Sequence, residues 1–229
     1  MLGAVIFDFD GVIVDSERIH HAAFNRVCAQ FHVEISKSAY YDKFLGLTDI
    51  EVFELLNKKH NLGLSPEQLE ELVSQKSETF KQLAQTEAAV IPGVREFLQL
   101  LKTDKVPAAL CSGALLAEIE MLLNSAKLRI YFETIVSAEH VTRGKPHPEG
   151  FLLALAKLNE KLRRSIKPAD CIVVEDSRWG LQAARAAGMH TIAVTNTYQA
   201  GQLKLAQKIV SNLNDLTIED IRHLCGQPT

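Results

Sequence analysis

The chain predicts a doubly wound α/β fold, a parallel sheet covered by helices on both faces, with an all-helical subdomain inserted into it. Three observations carry this. Short apolar runs with little polar alternation recur along the sequence, as strands buried on both faces require. Helical periodicity separates most of them, which is the rhythm of right-handed crossovers. One stretch, from about Ser16 to Ala88, is helical throughout and breaks that rhythm after the first strand.

The elements follow in order. Ala4–Phe9 is an apolar run and reads as the first strand. Helical patterns then cover Glu17–Phe31, Ser36–Lys43 and Asp49–His60. Ser65-Pro66-Glu67-Gln68 starts a further helix, with Ser as N-cap, Pro at the first position and Gln three residues after the cap. Beyond the insert come a helix at Val94–Lys102, a strand at Ala108–Cys111, a helix at Leu115–Ser125 and a strand at Thr134–Ser137. A helix at Pro148–Leu158 leads to the strand Cys171–Glu175. The next helix, Gly180–Ala187, stops at Gly188, and His190–Val194 and an edge at Lys208–Val210 complete the sheet. The predicted organisation is a core of residues 1–15 and 89–229 with a helical subdomain of residues 16–88.

With 229 residues, 47% of them hydrophobic, the chain can build one sizeable core and a smaller insert. A net charge of −3 supplies no global basic field for nucleic acid or an anionic membrane, so an anionic substrate needs a local positive site. Cys28, Cys111, Cys171 and Cys225 are scattered, without a CxxC pair, and read as reduced thiols in a cytoplasmic protein. The sequence shows no signal peptide and no membrane span, and a monomer is the default expectation.

Ligands of an open α/β sheet gather outside the carboxyl ends of its strands. The polar residues that follow each predicted strand are therefore the candidates. After the first come Asp8, Asp10 and Gly11; after the second, Ser112 and Gly113; after the third, Arg143-Gly144-Lys145-Pro146; after the fourth, Glu175, Asp176 and Ser177. Strand alternation puts Asp8 and Asp10 on one side of the sheet. Two like charges at the end of a buried strand call for a cation between them. Carboxylates, a hydroxyl, a lysine and glycine turns are what a Mg²⁺-assisted phosphoryl site needs. Mg²⁺ takes one or two carboxylates plus substrate phosphate, and lysine offsets the repulsion between an anionic nucleophile and phosphate.

DFDGV at Asp8–Val12, Ser112 after a strand, GKPHP at Gly144–Pro148 and VVEDS at Val173–Ser177 resemble, in order and spacing, the four motifs of the haloacid dehalogenase-like hydrolases. The branch that the chain most resembles is that of the β-phosphoglucomutases and related phosphatases. The resemblance implies a Rossmann-like core with a helical cap, and a Mg²⁺-dependent activity on a small phosphorylated metabolite. It implies that Asp8 is the nucleophile and a metal ligand, and that Asp10 is the general acid/base and a ligand through its backbone carbonyl. Ser112 and Lys145 would hold the phosphoryl group, with Gly113 beside them, and Glu175 and Asp176 would complete the metal site.

The same resemblance places His20, Gly46, Asp49 and Lys76 of the helical insert at the substrate. Asp49 stands where that branch carries an arginine that grips a distal phosphate, and an aspartate would repel one. Hydrolysis of a monophosphate is thus the leading expectation, a phosphomutase the alternative, and a non-turnover phospho-acceptor module a third. Each residue also has a plainer reading. Ser112, Asp49 and the Glu175-Asp176-Ser177 run could cap helices, and Lys76 could lie on a solvated helix face.

Overall fold

Six parallel strands form one sheet: β1 (Ala4–Phe7), β2 (Ala108–Cys111), β3 (Phe132–Val136), β4 (Cys171–Glu175), β5 (His190–Val194) and β6 (Lys208–Val210), in the order β3-β2-β1-β4-β5-β6. The structure is a computed structural model and describes residues 2–44, 47–87 and 90–226. Val5 of β1 sits opposite Ala108 on one side and Ile172 on the other. The order runs outward in both directions from the β1–β4 pair, so the crevice at the carboxyl edge opens there. Every residue of β1, β2, β4 and β5 is buried, which is why these strands read as unbroken apolar runs.

The chain divides into two units, Met1–Asp15 with Ala89–Thr229, and Ser16–Ala88. The helical unit contains α1 (Ser16–Cys28), α2 (Lys37–Lys43), α3 (Asp49–His60) and α4 (Pro66–Glu87). α1 ends three residues before the expected Phe31, where a 3₁₀ turn over Ala29–Phe31 leads into His32 at φ 56°. Phe24, Tyr40, Phe53 and Leu56 are among its buried core side chains. Each such side chain stabilises the unit by about 1.5–3 kcal/mol relative to exposure.

The starts of these helices follow side-chain chemistry. Ser65 and Gln68 make the expected reciprocal cap at the head of α4, with Ser65 N donating to Gln68 Oε1 at 2.8 Å. At α3 the cap is Thr48, paired with Glu51 in a capping box, and Asp49 is the first helical residue. The capping reading of Asp49 is therefore corrected; its side chain is engaged elsewhere.

In the sheet unit, α5 (Val94–Thr103), α6 (Leu116–Ser125), α7 (Glu149–Leu162) and α8 (Arg178–Ala186) are the crossover helices. Phe151, Ala154, Leu155 and Leu158 of α7 and Ala183 and Ala184 of α8 share a core cluster with Ile6, Ala109 and Val173 of the sheet. A further helix, α9 (Ile218–Leu224), was not expected from the sequence; Thr217 and Asp220 cap it.

Candidate active site

The site grows from the point where β1 stops. Asp8 N makes the last ladder bond, to Val174 O at 2.9 Å. The carbonyl of Phe9 then accepts from the N–H groups of Val12, Ile13 and Val14, which closes a tight turn. Gly11, at φ +75°, makes that turn possible. The strand thus ends two residues before the predicted Phe9, and the alternation argument does not extend to Asp10. A turn, not the pleat, sets the position of Asp10, whose Oδ2 accepts from Ser112 Oγ at 3.3 Å. Ser112 Oγ also accepts from Ala114 N at 2.9 Å. Leu115 occupies the N-cap of α6, so Ser112 supports the loop and is not the helix cap.

Lys145 comes from the loop before α7 and reaches both neighbouring strand ends. Its ammonium donates to Asp8 Oδ1 and to Glu175 Oε1, each at 2.5 Å. The Phe151 ring lies beneath it, 5.2 Å from Nζ to the centroid. Glu175 is fully buried, and its second oxygen accepts from Asp176 N, Ser177 N and Ser177 Oγ. Ser177 also caps α8 by accepting from Gly180 N at 3.1 Å, so the capping reading of this run holds for Ser177. Gly113 lines a cavity of about 320 Å³ together with Ser112 and Lys145.

Asp8, Glu175 and Asp176 are all buried, and one carboxylate oxygen from each lies within 4.8 Å of the others. Three buried carboxylates face one ammonium. That leaves an excess of two negative charges when all are ionised. Burial, and then the Glu175 charge, pushes Asp176 up to about 7. Burial also holds Asp8 well above the ordinary carboxylate range, against the pull of Lys145. Burial alone would lower Lys145, but Asp8 and Glu175 outweigh it and raise its pKa. Hard oxygen donors with this excess charge suit a divalent cation of the Mg²⁺ type.

In the helical unit the structure joins three of the four candidates. Lys76 is buried, 2% exposed, so its solvated-face reading is corrected. Its ammonium donates to Asp49 Oδ1 at 2.8 Å and Oδ2 at 2.9 Å, and lies 2.7 Å from His20 Nδ1. An ammonium only donates, so His20 Nδ1 accepts and the ring is neutral. The ring stacks on Phe80 at 4.2 Å between centroids. Burial, then the Lys76 charge, brings the His20 pKa down to about 3. Gly46, the fourth candidate, lies outside the described residues.

A sequence profile of the haloacid dehalogenase-like hydrolases matches residues 5–194. The chain belongs to this family. Hexitol phosphatase B of Escherichia coli strain K12 is 32% identical to this family member over 221 residues, 95% of this chain and 96% of that one. A phosphorylated carbohydrates phosphatase of Thermotoga maritima is 31% identical over 190 residues, covering 82% and 83%. A solved structure of a putative β-phosphoglucomutase from Thermotoga maritima matches with a TM-score of 0.77 at 29% identity, covering 93% of this chain and 95% of that one.

Two residues of this haloacid dehalogenase-like hydrolase escaped the sequence reading. The Thr197 hydroxyl lies beside the Asp176 carboxylate at Gly11, and Asn196 Nδ2 donates to Gly11 O at 2.8 Å. They follow β5 at the same carboxyl edge, and that position was the available signal. Gly180 packs so tightly on the Glu175 carboxylate that a Cβ there would overlap it.

Proposed function

We propose that the protein is a Mg²⁺-dependent phosphatase that hydrolyses a phosphate monoester of a small sugar or polyol through a phosphorylated Asp8. The observation that carries this reading is Lys145 held between Asp8 and Glu175 inside a buried three-carboxylate cluster. The names of the relatives, hexitol and carbohydrate phosphatases, support the substrate class.

Asp8, Glu175 and Asp176 would hold Mg²⁺, with the Asp10 carbonyl as the resemblance implies. The ion would supply the positive charge that keeps Asp8 ionised and offsets charge on the transferring phosphoryl group. Lys145 and Ser112 would steady the phosphoryl oxygens. Asp8 Oδ would attack phosphorus, forming an O–P bond as the ester O–P bond breaks, and Asp10 would protonate the leaving oxygen. Asp10, now a base, would then take a proton from water, whose oxygen attacks phosphorus and releases inorganic phosphate and free Asp8. In this reading the helical unit acts as the substrate-selecting cap.

A phosphomutase is the second reading, favoured by the likeness to a β-phosphoglucomutase. Hydrolysis takes precedence because the family resemblance puts Asp49, which binds Lys76, where that branch carries an arginine that grips a distal phosphate. A bisphosphate intermediate needs cations at both ends, and this pair carries no net charge. A panel of sugar and polyol monophosphates, assayed with Mg²⁺ and with EDTA, tests the reading. Release of inorganic phosphate dependent on Mg²⁺ is expected; isomer formation without net release would replace it with the mutase.

A further inference from the structure

We infer that the loop after β5 is a working part of the cation site, with Thr197 as the residue that positions Asp176. The inference rests on the reading of the carboxylate cluster as a Mg²⁺ site and goes beyond the residues of the four motifs.

Two loops bring carboxylates to this site, the Asp8–Val14 turn after β1 and the Glu175–Ser177 turn after β4. The β5 loop ties them together. Thr195 N donates to Val210 O at 3.1 Å, which fixes the base of the loop on β6. Asn196 Nδ2 then reaches Gly11 O at 2.8 Å, across 185 positions of sequence. The Thr197 hydroxyl lies beside the Asp176 carboxylate, where both face Gly11. Asp176 Oδ2 and Thr197 Oγ1 both pack directly against the α-carbon of Gly11, where a Cβ would strike each of them.

Asp176, Thr197 and Gly11 therefore meet at one point, and Asn196 anchors the same glycine through its carbonyl. A carboxylate packed between a hydroxyl and a glycine has its orientation restricted before any cation arrives. A cation then meets Asp176 without the entropy cost of ordering it. Outer-shell partners of this kind typically change metal affinity by about 10–100-fold when removed.

Direct calorimetric titration of the full-length protein with MgCl₂ tests this, with melting temperature in EDTA as the structural control. Thr197→Val keeps the shape and removes the donor. It is expected to weaken Mg²⁺ binding by about 10–100-fold while leaving the EDTA melting temperature close to wild type. Thr197→Ser restores the donor and is expected to bind close to wild type. Asn196→Ala, on the exposed side of the loop, is expected to weaken binding as well and carries the test if Thr197→Val does not fold. Unchanged affinity in Thr197→Val, or in Asn196→Ala as its substitute, overturns the inference. So does an equal loss in Thr197→Ser, which would make the effect one of packing. A wild-type protein that takes up no Mg²⁺ removes the underlying site reading, and the inference with it.

Discussion

Lys145 Nζ and Asp8 Oδ1 lie 2.5 Å apart although 137 positions separate them in sequence. The same ammonium serves Glu175, so it shares one charge between two buried carboxylates. Without a cation, the cluster holds more negative charge than its surroundings neutralise. Asp8→Asn removes one carboxylate and leaves Lys145 its Glu175 partner. The variant is expected to be more stable than wild type in EDTA, by about 1 kcal/mol or more, because a buried charge without full compensation is costly. Thermal melting in EDTA measures this. A lower melting temperature for Asp8→Asn would show that the Lys145–Asp8 pair is a net stabiliser.

The Asp49–Lys76 pair is asymmetric, with the lysine side chain 3% exposed and the aspartate 31%. Removing the partner of the more buried charge costs more. Asp49→Ala is expected to lose about 2 kcal/mol, below the range for a fully buried pair because water already reaches Asp49. Lys76→Met keeps the stem packed near Phe24 and Phe80 and leaves only the better-solvated carboxylate, so it is expected to lose less. Urea denaturation of the two variants checks the order. The reverse order would contradict the burial argument.

His20 gives a pH signature. Its native ring takes up a proton only near pH 3, whereas an ordinary histidine does so at 6.5. Between those values the unfolded chain binds more protons than the native one. The His20 contribution is therefore intact above pH 6.5 and is lost as the pH falls from 6.5 towards 3. NMR titration of the His20 ring is expected to show no protonation from pH 8 down to about 5. A midpoint near 6.5 would place the ring away from Lys76.

Gly180→Ala separates local propensity from packing. Alanine in a helix is ordinarily favoured over glycine by about 1 kcal/mol. In α8 the added Cβ would overlap the Glu175 carboxylate, which already accepts from Asp176 N, Ser177 N and Ser177 Oγ. The substitution is expected to lower the melting temperature and weaken Mg²⁺ binding together. A stabilised variant with unchanged Mg²⁺ binding would contradict the packing seen here.

The sheet was legible because its central strands are buried on both faces and so appear as uninterrupted apolar runs. The motif residues were legible because they follow those runs directly. The alternation argument for Asp10 fails, since the pleat says nothing once Phe9 O has closed a turn, and only the motif at Asp8–Val12 pointed to its place beside Ser112. The plainer reading of Lys76 as solvated fails because helical periodicity shows one helix at a time; its ammonium pairs with Asp49, 27 residues earlier, on another helix. Thr197 and Asn196 were missed because neither residue type signals chemistry by itself. Only the fold brings them to Asp176 and Gly11. α9 escaped because seven residues hold too few helical repeats to stand out.

The central claim is that Asp8 is the nucleophile, and it is tested most directly by phosphate release from a sugar monophosphate at saturating Mg²⁺ with wild type and Asp8→Asn. Steady release by wild type and a loss of at least about a thousandfold in a folded Asp8→Asn variant are expected, as for removal of other covalent nucleophiles. Release by Asp8→Asn at the wild-type rate would contradict the assignment.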